Sequence, residues 1–318
     1  MRGTLAKDHG GAYTDLRDLI RLRYAAKEIN RAAAKKSRNP LSGLMTSNFR
    51  GRGIDFAEVR VYQPGDDIRS IDWRVTARTQ VPHTKLFQEE KERPVLLLVD
   101  QSLPMFFGSQ HAFKSVVAAE AAALLAWTSL DRGDRTGGIV FSGTEHREIR
   151  PMRNKQAVLR LLSEIDTFNH ALSRDTPAGD TNGLVEALRN VRRVAKHGST
   201  IFIISDFSSF DDDAMVHFSQ LSRHNDIVGI HISDPLEREL PRPDLYTITN
   251  GEERLRINAA DRQFRSRHHE EFLDRLAYLR GELARLKSPL LELVTNEPVV
   301  DSLVDKYNEY MAWQRARK

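Results

Sequence analysis

Cysteine is absent from all 318 residues. That excludes disulfides, thiol catalysis, iron–sulfur clusters and thiolate zinc sites. No run of eighteen apolar residues occurs, so no membrane-spanning helix is expected. The opening Met1-Arg2-Gly3-Thr4-Leu5-Ala6-Lys7 has no apolar core behind its basic residues. No secretory leader is therefore expected, and a cytoplasmic home is. Gly51-Arg52-Gly53 is not a phosphate loop, because no third glycine and no Lys-Ser/Thr follows it. Tryptophan occurs only three times. Trp73 and Trp127 are expected in the core, whereas Trp313, near Arg315, Arg317 and Lys318, reads equally as core or contact.

What is present is ordinary for a folded, water-soluble chain: 40% hydrophobic and 29% charged residues. The length suits one large domain with an appendage, or two domains. The net charge of +4 is small but uneven, since residues 1–53 hold twelve Lys or Arg against four Asp or Glu. A basic solvated helix face explains that bias, and so does an anionic partner.

The organising stretch is Arg93-Pro94-Val95-Leu96-Leu97-Leu98-Val99-Asp100-Gln101-Ser102. A continuous apolar run of that length reads as a strand buried on both faces, as in parallel sheets covered by helices. Ile201 to Ser205, ending at Asp206, is a second such strand, and residues 226–233 a third. Strands also fit residues 135–142 and 289–294, and a hairpin fits 246–250 with 254–257. Helical spacing covers 112–130, 154–166, 181–195, 211–223, 260–286 and 302–315. From residue 93 onward this alternation predicts an α/β fold, a doubly wound and mostly parallel sheet with right-handed crossovers. The predicted division is residues 1–92, a helix over 12–36 plus a charged β-containing appendage, and residues 93–318, the α/β domain.

Within the appendage, Arg60, Asp66, Asp67, Arg69, Asp72 and Arg78 are candidates for a structural ion-pair network. The histidines are scattered. His268-His269, in a run rich in Arg and Glu, reads as a solvated face.

Three pieces converge at the carboxyl edge of the predicted sheet. Asp100 and Ser102 leave the first strand, Asp206 leaves the second, and Thr181 sits in Ala178-Gly179-Asp180-Thr181-Asn182 at a helix start. Oxygen ligands from separate loops suit a hard cation such as Mg²⁺ or Mn²⁺. Here the chain resembles a von Willebrand factor A domain with its metal-ion-dependent adhesion site, whose pattern is Asp-x-Ser-x-Ser, a later Thr and a later Asp. Asp100, Ser102, Thr181 and Asp206 match that metal pattern. Pro104 replaces its third oxygen ligand. Two outcomes stay open: water completes the shell, or the metal is lost.

Upstream, Arg60-Val61-Tyr62-Gln63-Pro64-Gly65-Asp66-Asp67-Ile68-Arg69-Ser70-Ile71-Asp72-Trp73, then Ala77-Arg78, resembles the signature of the bacterial domain-of-unknown-function family 58. The open-faced metal edge and the absence of a nucleophile constellation favour a non-enzymatic interaction module, and the resemblance implies its partners. Its implied partners are a MoxR-type AAA+ ATPase and other von Willebrand factor A proteins, in chaperone-like assembly or in stress and envelope maintenance. A partner carboxylate would complete the metal shell. Met105-Phe106-Phe107, apolar just after the broken motif, is a candidate partner contact, with one of the two phenylalanines expected to pack inward. The alternatives are a hydrolase combining the same metal with Asp66, Asp67 and Asp72, and nucleic-acid binding through the basic N-terminus. No nucleophile–base constellation accompanies the former and no recognised motif the latter.

Overall fold

The computed structural model describes residues 11–36, 55–63, 67–88, 94–173, 183–249 and 254–306. They divide into two compact units, one drawn from residues 48–93 and the other from 1–47 and 94–318.

The larger unit is built on a six-stranded sheet. Its strands are β3 (Pro94–Asp100), β4 (Arg135–Phe141), β5 (His146–Met152), β6 (Thr200–Ser205), β7 (Asp226–Ser233) and β10 (Leu290–Val294). They lie in the order β10-β7-β6-β3-β4-β5. All neighbours are parallel except the β4–β5 edge pair. The predicted α/β fold, a mostly parallel sheet with helices on both faces, is therefore observed. Alternation along β3 explains why the whole run is apolar. Val95, Leu97 and Val99 enter one core, and Leu96 and Leu98 the other.

The first core is closed by α1 (Leu16–Lys36), α3 (Lys114–Asp131), α4 (Lys155–Ala171) and the helical residues 299–306. The second is closed by α5 (Gly183–Val194), α6 (Asp212–Ser222) and α8 (Arg262–Arg285). Helix α3 is buried nearly all round, which is why its Ala/Leu-rich sequence shows no polar stripe. A four-residue helix α7 (Pro235–Arg238) and the hairpin β8 (Leu245–Thr249) with β9 (Arg254–Asn258) join β7 to α8. No helix among the described residues is long and apolar enough to cross a membrane.

Helix α1 does not group with the charged segment as its place in the chain suggested. Leu19 and Ala26 are buried in the first core, and Trp127 of α3 donates its Nε1–H to Leu19 O at 3.0 Å. Trp127 is core, as expected.

In the smaller unit, β1 (Asp55–Val61) pairs antiparallel with β2 (His83–Gln88), and α2 (Trp73–Thr79) lies between them in sequence. Asp72 caps that helix, accepting from Arg74 N at 3.0 Å and Val75 N at 3.2 Å. Trp73 corrects the core expectation. It opens a helix with no buried residue and is 68% exposed. Of the residues predicted to form an ion-pair network, Arg60 is half-buried on β1. Asp67 and Arg78 are exposed, and Asp72 is the helix cap. Asp66 and the Arg69 side chain lie outside the described residues.

Candidate functional site: a buried charge cluster at the sheet's carboxyl edge

From β3 the chain runs to β4 and β5 on one side. From β6 it runs to β7 and β10 on the other. The strand order therefore reverses between β3 and β6, which are neighbours in register Val99↔Ile204. In open α/β sheets such a switch point leaves a crevice at the strands' carboxyl ends. Asp100 and Asp206 stand there, both buried.

Both carboxylates are held by hydrogen bonds. Asp100 Oδ2 accepts from Ser205 Oγ at 2.6 Å, and its Oδ1 from Ser102 N at 2.9 Å. Ser205 Oγ in turn accepts from Phe207 N at 3.0 Å. Asp206 Oδ1 accepts from Ser208 N at 2.9 Å. These bonds pin a sharp exit from β6 in which Phe207 takes φ 53°, a left-handed conformation uncommon outside glycine. Burial, together with the Asp206 charge, raises the Asp100 pKa to about 6.

The group that sequence reasoning missed is Lys114, the first residue of α3. Its side chain is only 2% exposed, and its Nζ lies 2.7 Å from Asp206 Oδ2 and 2.6 Å from Glu237 Oε1. Burial works to lower its pKa, but the carboxylates of Asp206 and Glu237 outweigh burial and raise it. Burial likewise works to raise Asp206, and the adjacent ammonium more than reverses that. Both groups are therefore charged.

Glu237 is placed by a capping box. Asp234 Oδ1 accepts from Leu236 N at 2.9 Å, and Glu237 Oε2 accepts from Asp234 N at 2.9 Å. The other Asp234 oxygen accepts from Ser109 N at 2.8 Å and Thr295 Oγ1 at 2.5 Å. The signal for this was in Asp234-Pro235-Leu236-Glu237, an Asp-x-x-Glu with proline at the first helical position. His268 and His269 are each half-buried on α8. Their Nε2 and Nδ1 meet Leu236 O at 3.1 Å and Arg238 O at 3.0 Å, holding α7 against α8.

A cavity of about 200 Å³ opens beside this cluster, between the sheet edge and α8. Asp206, Phe207, Phe210, His231, Glu237 and Phe272 are among its lining residues.

The sequence-predicted residues fare unequally. Asp100, Ser102 and Asp206 do meet at one edge, and Thr181 lies outside the described residues. Ser102 opens the 3-10 turn Leu103–Met105, where Pro104 fits the turn's fixed φ. Met105 is 0% exposed and packs in the first core, so it is removed from the candidate contacts. Phe106 is half-buried, its ring centroid 5.4 Å from Tyr13 and 4.9 Å from Phe113. Phe107 is the exposed member.

A divalent cation needs several oxygens with lone pairs to give. At this edge Pro104 gives none, the Asp100 carboxylate accepts from Ser205 Oγ and from Ser102 N, and a buried ammonium sits on Asp206. No group of three or more His, Asp or Glu side chains converges as a metal cradle among the described residues. The described residues do not fit a Mg²⁺ or Mn²⁺ ion held on Asp206.

An uncharacterised protein of Mycobacterium tuberculosis (strain ATCC 25618 / H37Rv), Rv1480, is 31% identical over 191 residues, covering 60% of this chain and 58% of its own length. The match thus spans little more than half of that relative. YeaD of Bacillus subtilis (strain 168), also uncharacterised, is 37% identical over 68 residues, 21% of this chain and 16% of its own. Among solved structures, the conserved hypothetical protein BatB from Bacteroides thetaiotaomicron superposes with TM-score 0.40 at 12% identity. That superposition covers 68% of this chain and 98% of BatB. The model of the family described as "Protein of unknown function DUF58" matches residues 58–277, more than half of the sequence, and the chain belongs to that family.

Proposed function

We propose that this chain is a non-enzymatic protein-interaction module whose contact face is the carboxyl edge of its sheet. The observation that carries the reading is the cavity beside the Lys114–Asp206–Glu237 cluster at the switch point. Its walls combine aromatic side chains with charged groups. A concave apolar surface with a few convergent polar groups is what a binding site requires. Tyr278 and Phe210 also line it, and Tyr278 is exposed. Aromatic side chains with one wet end are favoured anchors at interfaces. The buried carboxylates are occupied by a lysine and by backbone and hydroxyl donors, which supports binding over hydrolysis.

The partner proposed is a MoxR-type AAA+ ATPase, served as an adaptor in chaperone-like assembly or in stress and envelope maintenance. That part rests on the family resemblance alone. Isothermal titration of the purified chain with a MoxR-type ATPase from the same organism tests it. Saturable binding is expected, weakened about tenfold or more, roughly 1.4 kcal/mol, by Tyr278→Ala or Phe210→Ala. Absence of binding sinks the partner assignment. Metal-dependent phosphoester or peptide turnover by the isolated chain, abolished by Asp206→Ala, sinks the non-enzymatic reading.

A further inference from the structure

We infer that the Lys114 ammonium is the resident cation of the sheet's carboxyl edge, so this edge works without a divalent metal. The position is a poor one for a lysine on every other count. The side chain is 2% exposed, and lysine is almost never buried unless paired. It is also the first residue of an 18-residue helix, where the aligned peptide dipoles disfavour a positive charge. Two carboxylates from distant parts of the chain offset both costs: Asp206 from the exit of β6 and Glu237 from α7. An ammonium has three N–H donors and no acceptor, and two of the three point at these oxygens.

A divalent ion on Asp206 would sit within a few ångströms of this charge, in a site too buried for water to screen the repulsion. To admit the ion, Lys114 would have to leave or lose its proton. Its main chain is fixed, with the N–H bonded to Phe107 O at 2.8 Å, so only rotation of the side chain could move the ammonium, and that side chain is 2% exposed. Glu237, with its side chain 32% exposed, is the outer of the two acceptors. The consequence for binding rests on the interaction reading above: an incoming partner meets an edge already neutralised by the protein itself.

The test is Mn²⁺ binding to the full chain, read by electron paramagnetic resonance, and thermal unfolding in EDTA against millimolar Mg²⁺ or Mn²⁺. The wild type is expected to bind no Mn²⁺ at the edge and to show no metal-induced rise in Tm. Lys114→Met is expected to lose several degrees in EDTA and to regain part of that loss with Mn²⁺, because the freed carboxylates then accept the ion. Should that variant not fold, Lys114→Arg keeps the charge and is expected to stay metal-indifferent. A wild-type Tm that rises with Mg²⁺ or Mn²⁺, with the rise lost in Asp206→Asn, overturns the inference. So does a Lys114→Met chain as stable as wild type and still indifferent to metal. The ATPase titration repeated in EDTA with nucleotide-free ATPase, so that the partner's own Mg²⁺–nucleotide site plays no part, separates the two ideas. Binding that requires metal overturns this inference and leaves the interaction reading standing, whereas the Tm comparison decides the cation question even if no partner binds.

Discussion

Ser205 on β6 donates its hydroxyl to Asp100 Oδ2 on the neighbouring strand β3 at 2.6 Å, and the same Ser205 oxygen receives Phe207 N at 3.0 Å. One hydroxyl thus serves a buried carboxylate and fixes the left-handed turn that aims Asp206. Ser205→Ala deprives both neighbours at once. Leaving a buried polar group short of a partner costs about 1–3 kcal/mol. Urea unfolding of this variant is expected to show a loss in that range, with an unchanged dependence on denaturant. A neutral result would mean that the Asp100 carboxylate does not depend on this bond.

The Lys114–Asp206 pair is expected to be strongly non-additive. Removing one partner of a buried ion pair leaves an uncompensated charge and costs about 3–5 kcal/mol. Lys114→Met leaves Asp206 and Glu237 facing each other, and Asp206→Asn leaves Lys114 with Glu237 alone. The double variant is expected to be more stable than the sum of the singles by about 0.5–3 kcal/mol, the usual coupling between residues in contact. A double-mutant cycle by chemical denaturation checks this, and additivity within error refutes it.

Helix α1 belongs to the sheet unit, and Leu19 tests that assignment. It is buried against α3, so Leu19→Ala removes core packing at a cost of about 2–5 kcal/mol. The unfolding transition of the sheet, followed by the near-UV signal of Trp127 in a chain with Trp73→Phe and Trp313→Phe, is expected to move with it. A Trp127 transition indifferent to Leu19→Ala would mean that α1 folds apart from the sheet.

These relationships differ in how far the sequence disclosed them. The strands at 94–100 and 200–205 were legible because a parallel sheet covered on both faces demands unbroken apolar runs. Asp100 and Asp206 were legible because each ends such a run. Lys114 was not, since a charge at a helix start reads as solvated, and its partners lie 92 and 123 residues away in sequence. Glu237 carried a capping-box signal, but the box says where a helix begins and nothing about which cation its second oxygen meets. Trp73 and Met105 misled in opposite directions. The core expectation for Trp73 fails where a short capped helix exposes it, and the contact candidacy of Met105 fails where a 3-10 turn folds it inward. Both depend on local backbone direction, which residue type alone does not specify.

His231 offers a pH test with a definite sign. Burial pushes its pKa from 6.5 down to about 4. Glu292 and Asp206 pull upward, while Lys114 and Arg280 reinforce the fall. Its Nδ1 has no hydrogen-bond partner, and its ring lies near Phe207 and Phe272 with centroids 6.4 Å away in each case. The folded protein thus resists protonating a ring that the unfolded chain protonates near pH 6.5. Stability from this group is complete above that pH and declines as pH falls toward 4, by about 3 kcal/mol in all. Asp100 acts oppositely in an overlapping window. Its folded pKa of about 6 lies above the unfolded 3.8, so its protonation favours the fold as pH drops between those values. A wild-type curve alone therefore mixes two slopes. His231→Leu removes one of them, and no hydrogen bond at Nδ1 is lost with it. The stability difference between His231→Leu and wild type is expected to shift in the variant's favour by up to about 3 kcal/mol between pH 7 and pH 4, read by urea unfolding at each pH. A difference that stays flat across that range would mean that His231 titrates in the folded protein as it does in water.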